Sequence, residues 1–138
     1  VDVSLDAHES TALTTVERAD LAADVAPTEV LVRAEYEGSV ETYPATGFFA
    51  DYKQLRLPET DLSVTVDGAD VTVTAEDAAL FVELDPGTLS GAFSDNYVHL
   101  APGETRTFTF DAYDDRRDAV LEAHFEDELS VRHLRETY

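Results

Sequence analysis

The amino-acid sequence predicts an all-β fold, an antiparallel β-sandwich with one short helix. Three observations lead to this prediction: short apolar runs typical of strands, turn residues between those runs, and little helical periodicity. A chain of 138 residues forms one ordinary domain or two small ones, and it is long enough to bury a core without disulfides.

The clearest pair of strands is the segment DLSVTVDGADVTVT, residues 61–74. Apolar residues alternate with polar neighbours on both sides of Asp67 and Gly68. The alternating residues are Leu62, Val64, Val66, Val71 and Val73. Gly68 adopts a positive φ at little cost, so the segment predicts a hairpin that turns at Asp67-Gly68.

Further runs predict strands along most of the chain. They occupy residues 1–7, 10–17, 28–37, 46–57, 78–84, 97–100, 104–113 and 128–134. Helical signal is thin. In residues 114–129, apolar residues lie near helical spacing after acidic residues, which predicts one or two helical turns. Residues 17–27 fit either a turn of helix or a loop, which Pro27 ends.

The net charge excludes one class of partner. Thirty acidic residues stand against nine basic ones, which gives a formal net charge of −21. Because phosphate binding needs clustered Lys and Arg, we expect no nucleic-acid partner. The acidic residues are spread along the chain and Lys53 is the single lysine. This composition resembles the surface of proteins from salt-loving organisms, in which salt screens self-repulsion.

The compartment is predicted from what the sequence lacks. There is no cysteine, which fits a reducing compartment and removes thiol catalysis and cysteine zinc sites. The sequence has no apolar run as long as a membrane span, and its first residues carry no signal pattern. We therefore expect a soluble cytoplasmic chain without a membrane partner.

Carboxylate pairs are weak indicators of catalysis in this chain, because acidic residues are so frequent that close pairs arise by chance. The segment DAYDDRRD carries Asp111, Asp114, Asp115 and Asp118, which are oxygen ligands of the type that Ca²⁺ prefers. Its spacing lacks the glycine and closing glutamate of a calcium loop. Acidic residues at the start of a helix are the favoured interpretation.

Histidines and aromatic residues also favour structural roles. His8, His99, His124 and His133 lie far apart in sequence, so we expect neither a metal site nor a cofactor. Aromatic residues at alternate strand positions, such as Phe108 and Phe110, indicate a core. The absence of tryptophan weakens the case for a sugar-stacking platform.

The segment FSDNYVHLAPGE, residues 93–104, contains the only asparagine of the chain. Ser94 and Asp95 have short polar side chains that bond to nearby backbone groups, and Asn96 tolerates the left-handed conformation. Pro102-Gly103 suits a type II turn. The segment therefore predicts a sharp corner at Asn96, a strand and a tight turn.

Three stretches carry a resemblance to a known family. The run FSDNYVHLAPGETRTFTF at 93–110 resembles the carboxy-terminal immunoglobulin-like domain of β-mannosidases in glycoside hydrolase family 2. The stretch TYPATGFFADYKQLRLPETDLSV at 42–64 is similar to the strand, loop and Leu-Pro linker that lead into that domain. The stretch LSVRHLRETY at 129–138 is similar to its end.

The resemblance implies a division of the chain. Residues 58–138 correspond to the complete carboxy-terminal immunoglobulin-like sandwich, and residues 1–57 to the closing strands of a preceding immunoglobulin-like domain. The family keeps its catalytic glutamates in an α/β barrel that this chain does not match. The resemblance therefore implies no catalytic, metal or cofactor residue here, and Ser94, Asp95, Asn96 and Tyr97 match the family motif as structural residues.

Two functions follow as expectations. The first is a non-catalytic accessory sandwich that packs on the remaining domains of a parent glycoside hydrolase, whose substrates are β-mannosides. The isolated chain should then expose an apolar patch or pair with itself, and we expect such a patch near residues 1–57. The alternative is a stand-alone carbohydrate-binding β-sandwich module, which needs exposed aromatic side chains.

The acidic composition predicts salt-dependent stability. Lowering sodium chloride from molar to millimolar concentration should lower the Tm by about 4 °C or more, roughly 1 kcal/mol, because unscreened like charges repel. Differential scanning calorimetry at matched pH measures the effect. Sucrose, which screens no charge, is the control added at low salt. An unchanged melting temperature would show that the composition is no salt adaptation.

Overall fold

A computed structural model describes residues 3–37, 42–113 and 125–137 of the chain. The chain divides into two compact units, Val1–Arg56 and Leu57–Tyr138. The assignment of residues 1–57 to the end of a preceding domain stays a prediction. Within the described ranges, no helix has both the length and the apolar composition that a membrane crossing requires.

The first unit contains one two-stranded antiparallel sheet. Strand β1, Leu31–Glu37, pairs with strand β2, Thr42–Phe48, in a register that joins Leu31 to Phe48 and Glu37 to Thr42. Helix α1 spans Arg18–Ala22, and single 3₁₀ turns span Pro27–Glu29 and Tyr52–Gln54. The alternatives left open for residues 17–27 resolve as a short helix followed by a turn.

Two strands predicted near the amino end are wrong over the residues that the structure describes. Residues 3–17 contain a turn at positions 7–8 and no strand. The large apolar side chains of these two runs, Leu5, Leu13 and Val16, are all exposed. A strand requires a neighbour that pairs its backbone groups, and a strand-like run in the sequence does not supply one.

The strand predicted at residues 46–57 is wrong over most of its length, because β2 ends at Phe48. The Phe48 and Tyr52 rings meet edge to face with centroids 5.1 Å apart. Four residues of extended strand span about 13 Å. The two rings therefore meet only because the chain turns back after Phe48.

Seven strands of the described residues form two antiparallel sheets in the second unit. The four-stranded sheet has the order β3-β4-β8-β6 and the three-stranded sheet the order β7-β5-β9. The strands are β3 Leu62–Asp67, β4 Asp70–Ala75, β5 Ala79–Asp85, β6 Gly91–Phe93, β7 Val98–Leu100, β8 Thr105–Ala112 and β9 Ser130–Arg132. The all-β prediction is confirmed.

The predicted hairpin forms between β3 and β4. Val66 pairs with Val71 and Asp67 with Asp70, so only Gly68 and Ala69 lie in the loop. Gly68 has φ 61°, the positive value that a tight hairpin requires at this position.

The inner faces of both sheets share one apolar core, which makes the second unit a sandwich. The largest fully buried side chains are Phe108, Phe110, Phe125, Leu80, Leu84, Leu100, Val71, Val73 and Val82. Burial of such a side chain stabilises the fold by roughly 1.5–3 kcal/mol. Phe108 and Phe110 are core residues, as their alternation predicts.

One strand of the second unit differs from the prediction. Strand β6, Gly91–Phe93, was not predicted, because three residues are too few to show alternation. Residues 125–128 are helical, which agrees with the one or two helical turns predicted within residues 114–129. The remainder of that segment, 114–124, lies outside the described residues. The Phe125 ring stacks on the Phe110 ring with centroids 5.0 Å apart.

Candidate functional site

The corner at residues 94–97 bonds to strand β5 through the side-chain amide of Asn96. Its Oδ1 accepts the Leu84 N–H at 2.8 Å, and its Nδ2 donates to the Leu84 carbonyl at 2.9 Å. The same Oδ1 accepts the Tyr97 N–H at 2.9 Å. Leu84 is 1% exposed, so these bonds satisfy main-chain groups of a core residue.

The register explains why an amide is required. Strand β5 pairs with β7 antiparallel, with Val82 opposite Val98, and continuation of that register places Asn96 opposite Leu84. A regular pair at this position would exchange one N–H···O bond in each direction. The Asn96 side chain makes the same two bonds to Leu84, so it replaces a peptide group where β7 has not yet begun.

The predicted left-handed residue is wrong by one position. Tyr97, and not Asn96, has a positive φ, 55°. The Asn96 amide is engaged with Leu84, so the reversal of the chain falls on the next residue. A left-handed conformation is an outlier for a bulky side chain, and it costs about 1–2 kcal/mol.

The remainder of the predicted corner and turn is confirmed. The Asp95 carboxylate accepts the Asn96 N–H at 2.8 Å and pairs with Arg106, and the Ser94 hydroxyl accepts the Thr109 N–H at 3.1 Å. In the following turn Gly103 has φ 74°, and Glu104 donates its N–H to the Ala101 carbonyl at 3.0 Å. These are the features of a type II turn.

His99 supports strand β5 at a second irregular position. Its Nδ1 accepts the Phe81 N–H at 3.0 Å, where the β5–β7 register shifts between Ala79 and Val82. Phe81 has φ 51°, and its ring meets the His99 ring edge to face at 4.5 Å. Burial lowers the pKa of His99 below its ordinary value of 6.5. The imidazole therefore stays neutral and keeps Nδ1 as an acceptor.

A small cavity of about 200 Å³ lies beside this irregular strand. Seven residues line it: Phe81, Glu83, Tyr97, Arg132, His133, Leu134 and Thr137. They come from β5, the corner and the segment from β9 to the 3₁₀ turn Leu134–Thr137. The fold therefore brings together residues that lie more than fifty positions apart in the sequence.

Glu83 holds the polar side of the cavity in place. Its Oε1 accepts the Tyr97 hydroxyl at 2.9 Å, and its Oε2 lies 2.8 Å from Arg132 Nη2. Arg132 also lies 3.9 Å from the Asp85 carboxylate. The hydrogen bond to Glu83 raises the pKa of Tyr97 above its ordinary value of 10.0, so the phenol stays protonated. Phenol, carboxylate and guanidinium thus form one connected network.

The remaining candidate residues form no common site in the described part of the chain. His8 lies in the exposed turn of the first unit, and His124 falls outside the described residues. His133 is 4% exposed, and its Nδ1 makes no bond within the described residues. Of the four aspartates weighed as cation ligands, only Asp111 is described. No group of three or more metal-binding side chains occurs in the described ranges.

Comparison with protein families now places the chain. Residues 54–137, more than half of its length, match the Ig_mannosidase family model of an Ig-fold domain. The chain belongs to the Ig_mannosidase family. A search of the curated proteins finds no match. The family match confirms the immunoglobulin-like fold and the carboxy-terminal mannosidase-type region that the Ser-Asp-Asn-Tyr corner predicts.

The match leaves the cavity of this Ig_mannosidase domain unassigned, and sequence reasoning missed it. Tyr97 is predicted only as a structural residue of the corner, yet it is 58% exposed and lines the cavity. The pairing of Glu83 with Arg132 depends on the β5–β9 register, which places them directly opposite each other. The sequence indicates where each strand begins and ends but not how the two strands align, so it does not show this contact.

Replacing Asn96 tests its role as a substitute peptide group. Asn96→Ala should lower the free energy of unfolding by about 1–3 kcal/mol, because the Leu84 N–H and carbonyl lose their partners. Urea denaturation measures the loss, and hydrogen exchange at the Leu84 amide should accelerate. Asp95→Asn is the matched control: it keeps the acceptor for the Asn96 N–H and weakens only an exposed ion pair. Equal urea midpoints for wild type and Asn96→Ala would contradict the assignment.

His99 predicts a pH dependence of stability. Since the folded pKa lies below the unfolded one, the unfolded chain binds more protons between the two values, and stability falls as pH falls below about 6.5. His99→Asn keeps an acceptor for the Phe81 N–H and does not titrate. The free energy of unfolding of the wild type should therefore decline relative to His99→Asn between pH 7 and 5, roughly. A difference that stays constant across this range would contradict the role of Nδ1.

Proposed function

We propose that the chain is a non-catalytic accessory region of a family 2 glycoside hydrolase resembling β-mannosidase. Residues 58–138 form its final immunoglobulin-like sandwich, and residues 1–57 supply the closing strands of the preceding one. Its task is to pack against the remaining domains of the parent enzyme. The family match and the Ser-Asp-Asn-Tyr corner support this proposal.

The observation that carries the proposal is the uneven distribution of apolar surface. Eleven large hydrophobic side chains of the described residues are exposed, and eight of them lie in the first unit. They are Leu5, Leu13, Val16, Leu21, Val25, Tyr36, Phe49 and Tyr52. Of the thirteen buried hydrophobic residues in the described ranges, by contrast, only Leu55 belongs to this unit. Exposed apolar surface of this extent is typical of an interaction site.

The sheet of the first unit supports the same conclusion. A single two-stranded sheet is marginally stable in water, and three or more strands with an apolar face are needed for independent stability. The described residues give this unit β1 and β2 alone. We propose that strands of the preceding sandwich and the enzyme's other domains complete it.

A groove in the first unit offers a specific point of contact. It encloses about 620 Å³ and is lined by Thr46, Gly47, Phe48, Ala50, Asp51, Tyr52 and Lys53. Phe48 and Tyr52 give it an aromatic wall. Phe49 and Tyr52 are 39% and 48% exposed. These two side chains, called the aromatic patch, are accessible to an apolar surface of a neighbouring domain.

The proposal predicts self-association of the isolated chain through this patch. Sedimentation velocity should show a weight-average sedimentation coefficient that rises with protein concentration, because association removes exposed apolar surface from water. The double variant Phe49→Ser with Tyr52→Ser should remain monomeric. Tyr113→Ser removes a tyrosine of the second unit that is 70% exposed, and this matched control should associate like the wild type.

Two results would oppose the proposal. A wild-type chain that stays monomeric at high concentration would show that the patch does not bind a second apolar surface. Hydrolysis of an aryl β-mannoside by the purified chain, above the rate in buffer, would show that the chain itself is an enzyme.

A further inference from the structure

We propose that the cavity beside strand β5 binds a single neutral pyranose ring. This inference goes beyond the accessory role, because it gives the second unit a ligand of its own. The central observation is that Phe81 and Tyr97 both line the same cavity of about 200 Å³ and both have a left-handed backbone. Glu83 and Arg132 provide its polar side.

The backbone conformation of Phe81 and Tyr97 follows from the hydrogen bonding of β5, but the aromatic identity of their side chains does not. In the described part of the second unit, Phe81 and Tyr97 are the two residues other than glycine with a positive φ. Glycine would adopt these conformations without cost, so an aromatic side chain at either position carries a local penalty. Strained residues of this kind cluster at ligand sites. Two of them in the lining of one cavity are therefore best explained by a role for their rings.

The side chains are already held in the arrangement that a ligand would meet. Tyr97 is 58% exposed, yet its hydroxyl is fixed to Glu83 at 2.9 Å. Arg132 is fixed to the other oxygen of the same carboxylate at 2.8 Å. A site whose groups are ordered before binding loses less conformational entropy when the ligand arrives.

The charges of the site select an uncharged ligand. Glu83 and Arg132 neutralise each other, and Asp85 lies 3.9 Å from the same guanidinium nitrogen. An anion would meet the Glu83 carboxylate on a chain of net charge −21. A cation would have to displace Arg132 from the two carboxylates with which it is already paired. The ligand that this pairing favours is neutral.

The same groups suit a polyhydroxylated ring. A pyranose presents C–H groups on its faces and hydroxyls at its edge, and an exposed Tyr97 ring offers an apolar surface to such a face. Within the described residues both ion pairs of Arg132 use Nη2, so Nε and Nη1 keep donors for adjacent hydroxyls. The cavity is smaller than the roughly 300–1,000 Å³ of sites for drug-sized ligands, which fits one ring.

Saturation-transfer difference NMR and calorimetric titration of the 138-residue chain test the proposal. The probes are the methyl pyranosides of glucose, mannose and galactose, with tetramethylammonium chloride and sodium benzoate as the cationic and anionic comparisons. We expect saturable binding of at least one pyranoside and none of either ion. Absence of saturable pyranoside binding, or tighter binding of either ion, would overturn the proposal.

Tyr97→Gly is the decisive variant, because it removes the ring and relieves the left-handed strain together. It should weaken pyranoside binding about tenfold or more, the loss of roughly 1.4 kcal/mol that an aromatic contact provides, without lowering the melting temperature. Arg132→Gln, at an exposed side chain, should also weaken binding while the fold persists. Tyr113→Ala changes a tyrosine outside the cavity lining and should bind like the wild type. Unchanged affinity in both Tyr97→Gly and Arg132→Gln would place any sugar site elsewhere.

Discussion

The second unit depends on one constraint: strand β5 has main-chain polar groups that the short strand β7 does not reach. Leu84 lies beyond the amino end of β7, and Phe81 lies where the register shifts. Both residues belong to the strand that carries much of the core, so unpaired groups there would cost about 1–3 kcal/mol each. Two side chains, Asn96 and His99, supply the missing partners.

Asn96 and His99 replace the missing backbone partners in different ways, because their side chains differ in the hydrogen bonds that they can make. An amide both donates and accepts, so Asn96 replaces a complete peptide group opposite Leu84. Aspartate would lack the donor, and glutamine, one methylene longer, would place the amide farther from its own backbone. His99 needs only to accept one N–H, which neutral imidazole does. Partial burial of His99 keeps it in the form that can accept.

These side-chain hydrogen bonds to β5 also affect the backbone of the neighbouring aromatic residues. Once the Asn96 side chain occupies the place of a backbone pair, the chain must reverse at Tyr97 to enter β7. The irregular register has a similar effect at Phe81, whose N–H turns to His99. Asn96 and His99 complete the hydrogen bonding of β5, and each lies next to an aromatic residue with a left-handed backbone. Those two aromatic residues, Tyr97 and Phe81, line one cavity.

How far the sequence predicts this arrangement depends on the range of the interactions. Turns that rest on local chemistry, at Gly68 and at Pro102-Gly103, are predictable because neighbouring residues determine them. The register of β5 against β7 and β9 depends on contacts far apart in the chain, so neither the bond from Asn96 to Leu84 nor the Glu83–Arg132 pair could be read from it. The error over residues 3–17 has the same origin. A strand-like run is a property of one segment, whereas a strand also requires a paired neighbour.

The two units differ in how much apolar side-chain surface they bury, and this difference determines which of them can tolerate a strained backbone. Among the described residues, all nine of the largest fully buried side chains belong to the second unit, and their burial exceeds the strain at Phe81 and Tyr97. The described part of the first unit has a single buried hydrophobic residue and no such reserve. A rigid unit can hold a preorganised cavity at atomic precision, since its core fixes the backbone on which the rings stand. A unit with little core is stabilised when another surface covers it, so the proposed ligand site fits the second unit and the proposed domain packing fits the first.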